Sequence, residues 1–470
     1  MTLTPSPPHG PATRSGAADR PRARVGRRDL AAAGAAVLLF AVLAGVGAYL
    51  NRDDYLLRVP WPPLEAYWRP HFGPGTPAAL TVGALAVAHG PALAARLPWR
   101  ALPWSAWAAA MAWTWSLALV DGWRQGVADR LTTPGEYLSG VARFADAGPA
   151  LRGFTQHILL YSPDHWATHI AGHPAGAVLT FVGLDRIGLG GGGPAGAFCV
   201  TAGSSVAAAA LVVLRALAGE DRARTAAPFL VLAPGAVWVG VSADGWFAAV
   251  AAWALALLAV AATSASRWRT AVTGLGSGLL LGAAVYLSYG LVLLAIPALA
   301  VLLCARAVRP LPFAVLGFAA VAAVFTRAGF DWWQGYGLLR TRYAQGYGGV
   351  RPYAYWVWGD LGTVVVAAGL ASVAGLRRAL AGAPAAVRRW RRGQHPGAVA
   401  ETLLPCAFLL AILAADLSGM SKAETERIWL PFTLWLPAAA ALLPRRDRRG
   451  WLIAQAAIAL LVNHLLLTGW

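Results

Sequence analysis

Apolar runs long enough to cross a bilayer as an α-helix, roughly twenty residues each, recur along almost the whole chain. The pattern predicts spanning helices at 30–50, 77–96, 101–120, 195–215, 226–242, 244–263, 271–288, 290–307, 311–327, 361–376, 402–418, 428–444 and 450–469. The expected fold class is therefore all-α, a polytopic transmembrane helical bundle of about 13 spans, with short interfacial helices in a large first outer loop. One further run, PAGAVLTFVGLDRIGLG at 174–190, opens on a proline and carries Asp185 and Arg186. Counting it as a crossing would invert every later loop, so it is expected to form a short helix lying at the outer interface.

The polar remainder is confined to a few places. A tail over 1–28, rich in Pro, Gly, Ser and Arg, is expected to be disordered and cytoplasmic. The first apolar run has no small-residue cleavage site after it and reads as a retained helix. Four outward segments are left to hold any site, at 51–76, 121–194, 328–360 and 418–427. The organisation expected is the tail 1–28, two extra helices over 29–100, a transmembrane module over 101–444 and a last helix over 445–470.

Composition confirms the class, since 58% of the 470 residues are hydrophobic and 13% charged, which excludes a soluble enzyme. The formal net charge of +18 would suggest nucleic acid if read alone. With the N-terminus placed inside, the cytoplasmic segments hold 25 of the 39 basic residues and 6 of the 21 acids, leaving 14 and 15 outside. The excess is a positive-inside signal, with anchors such as Arg388, Arg389, Arg391 and Arg392, and no nucleic-acid partner is implied. The location expected is the plasma membrane, with a cytoplasmic N-terminus and an extracytoplasmic C-terminus. Cys199, Cys304 and Cys406 all lie in apolar runs and read as small buried hydrophobes.

Candidate chemistry begins at Asp121, the outer end of WSAWAAAMAWTWSLALV, where a partly desolvated carboxylate is either a helix-ending cap or a base. In PGEYLSGVARF, Glu136 opens a short amphipathic helix, a position that helix electrostatics favours on its own account. His165, His169 and His173 in DHWATHIAGHP recur every four residues and would share one helix face. With Asp164 that face could ligate a metal; without a glutamate between histidines it reads first as a hydrogen-bonding face near headgroups, and no metal ligands are assigned. Asp244, in GVSADGW, is either turn chemistry or a substrate contact. The segment SKAETERIWLPF brings the single lysine, Lys422, together with Glu424, Glu426 and Arg427, which fits either an anion site or a salt-bridged turn. Arg340, Arg342 and Arg351 lie in a loop dense in Trp, Tyr and Phe, suited to carbohydrate or lipid phosphate. GLGGGGPAG at 188–196 lacks the Lys-Ser/Thr ending of a phosphate-binding loop.

The order of these parts resembles the GT-C superfamily of membrane glycosyltransferases over about residues 101–444. The resemblance rests on Asp121 and its loop to His173, on HPAGAVLTFVGLDRIG, and on APFLVLAPGAVWVGVSADGWF and GLLLGAAVYLSYGLVLLAIPALAVL. It implies transfer of a sugar from a polyprenyl-phosphate donor to a hydroxyl of a glycan or protein acceptor, at the outer face of the lipid bilayer. Asp121 would be the first-loop acid, acting as base or helping to hold a divalent cation, with Glu136 sharing that work. Lys422 and Arg427 would partner the lipid phosphate. The family often has two adjacent acids where this chain has Asp121 and Gly122. The nearly lysine-free, Ala- and Arg-rich composition points to a high-GC, actinobacterial-type source. A transporter or flippase of lipid-linked saccharides, or a catalytically silent membrane protein, are the rival readings; the first would require polar residues at mid-membrane and interrupted helices.

Overall fold

In a computed structural model, residues 20–394 and 396–469 are described, with side chains from Gly26 onward. The first helix begins at Arg20 and runs to Leu50, so residues 20–28 extend it; the rest of the expected tail lies outside the described residues. Nearly all regular structure is helical, the exceptions being two three-residue strands, Ala66–Trp68 and Leu466–Thr468, paired antiparallel.

Among the described residues, six helices are long and apolar enough to cross a membrane: Gly26–Leu50, Thr76–Arg96, Gly192–Ala218, Ala243–Thr263, Arg267–Leu287 and Pro396–Leu417. Two bent pairs raise the number to eight if each is one span. Two further apolar runs, 226–242 and 428–444, are interrupted at proline, which removes a backbone donor and clashes with the preceding turn. Pro234 separates Glu220–Val231 from Ala236–Val239, and Pro431 and Pro437 accompany the short pieces Leu430–Thr433 and Leu436–Leu442. The 174–190 segment forms a helix over Ala175–Arg186 only; its 12 residues reach about 18 Å, well short of the hydrocarbon thickness.

Burial sorts the helices into layers. Ala243–Thr263 and Gly192–Ala218 have 72% and 67% of their most apolar windows buried, whereas Gly26–Leu50 and Thr76–Arg96 have 22% and 17%. The outer pair exposes Leu38, Val42, Leu80 and Leu85, an apolar surface that water would penalise and a bilayer accepts. Close packing inside relies on small residues. A Cβ on Gly278 would lie 2.0 Å from the Ala314 carbonyl oxygen and one on Gly317 2.4 Å from that of Leu275, so glycine lets Arg267–Leu287 and Leu311–Arg327 touch backbone to backbone.

The two bends shape the polar end. Trp332–Gln345 turns 75° from Leu311–Arg327, and Leu370–Arg391 turns 108° from Tyr353–Ala368 at Gly369, whose φ of 82° suits a residue without Cβ. The arginine-rich end carries its own closed pairs. Asp29, 1% exposed, is held by Arg377 and Arg378 at 2.6 Å each.

Candidate functional site

The polar segments converge on Arg427. The loop before it folds back through left-handed Gly419, Ala423 and Glu424 and is pinned from below by Asp360, whose Oδ1 accepts from the Ala423 amide (3.1 Å) and the Thr425 hydroxyl (3.2 Å). This turns Arg427 inward, with 3% of its side chain exposed. Its guanidinium donates to Asp244 Oδ2 at 2.6 Å and to Glu424 Oε2 at 2.7 Å, and lies 3.1 Å from His169 Nε2. Asp244 is placed by the first turn of Ala243–Thr263, where the helix dipole also favours an acid.

Glu136 reaches the same network from the first loop. It caps the 3₁₀ helix Tyr137–Phe144 with an extended backbone, and the His169 amide donates to the Gly135 carbonyl at 2.9 Å. Glu136 Oε1 then lies 2.8 Å from His169 Nδ1. Because a guanidinium can only donate, His169 Nε2 must accept from Arg427, which leaves the ring proton on Nδ1, on the side of the Glu136 carboxylate. Asp244, Glu424, Arg427 and His169 are thus joined by hydrogen bonds, and Glu136 closes the set through its 2.8 Å contact with Nδ1, with Oε2 not committed to the imidazole.

The environment pushes these groups apart. Burial works against ionising Glu136, but His169 and Arg427 outweigh it and hold the carboxyl below its usual range. Glu424 is lowered in the same way, burial being overcome by Arg427 and Arg351. Burial also opposes the Arg427 charge, yet Asp244, Glu424 and Glu136 keep it more firmly protonated than a free arginine. Tyr137 is raised by burial and by Asp244 and Glu136, while burial pushes His173 down to about 4, so His173 is neutral at pH 7. Its Nδ1 lies 2.8 Å from the His169 carbonyl and 3.0 Å from the Tyr137 hydroxyl, holding the ring against the loop.

A second layer comes from the 51–76 strap. The Glu65 amide donates to Glu426 Oε1 at 3.0 Å, and Glu426 is wholly buried. Burial and repulsion from Glu424 push Glu65 up to about 8. Burial pushes Glu426 up to about 7. Arg351 braces this layer, donating to the carbonyls of Lys422 (2.7 Å), Arg58 (3.1 Å) and Leu57 (3.3 Å), and lies 3.7 Å from both Glu65 and Glu424. Lys422 answers it by donating to the carbonyls of Gly348 and Arg351 at 2.9 and 3.1 Å. The single lysine therefore works as a loop latch.

Asp121 belongs to a different set of partners. It ends the 3₁₀ turn Leu119–Asp121, with Oδ1 3.0 Å from His71 Nε2 and Oδ2 accepting from Arg130 at 3.0 Å. Arg130 also donates to the Thr468 carbonyl at 2.9 Å, and His71 Nδ1 lies 2.7 Å from the Arg69 carbonyl. A carbonyl cannot donate, so Nδ1 carries the proton that the Arg69 carbonyl accepts. The result is a carboxylate flanked by Arg130 and His71, stitched to the end of the last helix by strand pairing of Ala66–Trp68 with Leu466–Thr468.

The remaining candidates scatter. His165 is exposed after the left-handed Asp164, and the helix containing His169 spans only Thr168–Ala171, so the three histidines do not share one helix face; Pro163 and Gly172 bound a stretch too short for that periodicity. Arg340 is exposed on Trp332–Gln345, and Arg342 has its Nη1 buried without a hydrogen-bond partner. That helix is tied to the first loop by Gln334, which accepts from Thr155 at 3.0 Å, and by Gln345, which accepts from the Leu160 amide at 2.9 Å. Among the described residues, no group of three or more His, Cys, Asp or Glu side chains is arranged to hold a metal ion.

Sequence reasoning passed over Glu65, Tyr137 and Asp360. Glu65 is the one acid in VPWPPLEAYW, and Asp360 the one acid in YAYWVWGDLGTVVV; a lone charge within an apolar run was the available signal. No family model, curated protein or solved structure matches this chain.

Proposed function

We propose that this chain is an integral membrane glycosyltransferase of GT-C type, crossing the membrane about thirteen times. It moves a sugar from a polyprenyl-phosphate donor to an acceptor hydroxyl on the extracytoplasmic face. The observation that carries this reading is the buried chain from Asp244 and Glu424 through Arg427 and His169 to Glu136. It gives one carboxylate an oriented, charge-stabilised setting at the end of a bundle whose helices suit a lipid-borne donor.

In the proposed step the acceptor hydroxyl gives its proton to Glu136 as its oxygen bonds to the anomeric carbon. The bond from that carbon to the phosphate oxygen breaks with inversion, and the electron pair leaves on the polyprenyl phosphate. Glu136 is the more available acceptor of the two, because both Asp121 oxygens face Arg130 and His71 while Glu136 Oε2 is not committed to the imidazole. The phosphate falls to Arg342, with its buried unpartnered Nη1, since the Lys422 ammonium is taken by two carbonyls. The test is transfer in purified membranes from a panel of synthetic polyprenyl-phosphate sugars. Glu136→Gln is expected to lose about 10² to 10⁴ in rate with the fold intact; undiminished turnover would falsify the base assignment.

A transporter of lipid-linked saccharides is the second reading, favoured by the helix bends of 75° and 108° and by Asp360 within an apolar helix. Proteoliposomes separate the two: the transporter moves labelled lipid-linked sugar across the bilayer without forming a new glycosidic bond.

A further inference from the structure

The network around Arg427 lacks positive charge. Five carboxyl groups, from Glu65, Glu136, Asp244, Glu424 and Glu426, face two guanidiniums, from Arg351 and Arg427. Arg427 is committed to Asp244 and Glu424, and Arg351 gives its short hydrogen bonds to the carbonyls of Leu57, Arg58 and Lys422. Glu426 bears the consequence most plainly: it is 0% exposed, Oε1 accepts from the Glu65 amide nitrogen, its own backbone amide also faces the carboxyl, and Oε2 has no hydrogen-bond partner. A buried carboxyl oxygen left unpaired costs free energy unless a donor arrives. Glu65 supplies the approach, with 23% of its side chain exposed beside that oxygen's own carboxyl.

We propose that Glu65 and Glu426 receive the ammonium group of an amino sugar, so that the transferred or accepted saccharide carries a free amine. This rests on the glycosyl-transfer reading and names its substrate class. A divalent metal is the poorer occupant, because no three acidic or histidine side chains converge as a ligand set among the described residues. An ammonium needs only separate acceptors around it, and it donates up to three hydrogen bonds. Without it, Glu65 and Glu426 hold protons near neutrality, pushed up to about 8 and about 7 by burial, with repulsion from Glu424 adding to it. The groups facing the pair are Glu424 and Arg427 on the Glu426 loop, Arg351 from the preceding loop, Tyr55 near Glu65 and Asp360 near Glu426. Binding of the cation therefore displaces protons from the pair as long as the sugar amine keeps its own, so affinity rises from pH 6 toward neutrality, where both conditions hold.

The experiment measures binding of a short-chain polyprenyl-phosphate 2-amino-2-deoxyhexose, its N-acetylated form and its 2-hydroxy counterpart to the purified full-length protein, at pH 6 and at neutral pH. The expected result is at least about tenfold tighter binding of the amino compound at neutral pH, since a hydrogen bond to a charged group is lost in the other two. Glu426→Gln is expected to erase that preference. Glu65→Gln, at a partly exposed position, does the same should the first variant fail to fold. Equal binding of all three compounds, or a preference that survives both substitutions, overturns the proposal. Transfer of neutral sugars with no amino preference leaves glycosyl transfer standing and removes the ammonium site. Amine-selective binding without transfer to any acceptor keeps the ammonium site and removes the transferase.

Discussion

Two acid–histidine–arginine constellations sit in this molecule, and they differ in which way the histidine faces. His71 lies between the Arg69 carbonyl and the Asp121 carboxylate, and Arg130 closes an ion pair on the other oxygen. His169 bridges the Glu136 carboxylate and the Arg427 guanidinium, so one nitrogen donates and the other accepts. The first arrangement consumes a carboxylate's capacity and sews the last helix to the 51–76 strap. The second passes polarisation along a chain and leaves an oxygen available at its end. Residue types alone do not separate a fastening from a working site; the direction of each hydrogen bond does.

The sharpest way to break this contrast is to remove the cation from each. Arg427→Leu leaves Asp244 buried without its partner and removes one from Glu424, and is expected to cost about 3 to 5 kcal/mol. Arg130→Leu leaves Asp121 with His71 and a side chain 13% exposed, and should cost about 1 to 3 kcal/mol. Thermal unfolding of the purified variants under one detergent condition checks the order. A larger loss from Arg130 would make the Asp121 constellation the more tightly coupled of the two. Under the proposed glycosyl transfer the order on activity follows the same logic: Glu136→Gln is expected to lose most transfer, while Asp121→Asn is expected to stay within an order of magnitude of the parent protein and to show its effect in the melting curve.

What the sequence made legible was the kind of helix and the location of the polar chemistry. The apolar runs announce a membrane bundle, the 174–190 segment does stop short of a crossing, and SKAETER does carry the central arginine. Three things escaped. Proline at 234, 431 and 437 breaks runs whose hydropathy alone looks continuous. The prominence of Asp121 at a helix end gave no hint that His71, fifty positions earlier, would neutralise it. Lys422 looked like an anion ligand because of its rarity, yet its protons go to carbonyls that only the fold brings near. Pairings at such sequence separations have no local periodicity to betray them.

A smaller effect sharpens the comparison through pH. Glu426 and Glu65 titrate higher in the folded protein than in the unfolded chain, so the stability they contribute is present below the unfolded carboxyl range and is lost as pH rises through about 7 and about 8. His173 has the opposite sense: its folded value is depressed to about 4, so its contribution is present above the unfolded histidine value and is lost as pH falls toward 4. On account of these two carboxyls the ligand-free protein should lose stability from about pH 5 to about pH 8, and Glu426→Gln should remove the share of that loss that falls below about pH 7 while the Glu65 share up to about 8 remains. Arg130→Leu, acting on the other constellation, should shift the whole curve down without altering that slope. Melting temperatures of the three proteins across that range decide it, and a loss between about pH 5 and about pH 7 undiminished in Glu426→Gln would mean that the carboxyl surplus around Arg427 is relieved elsewhere in the network.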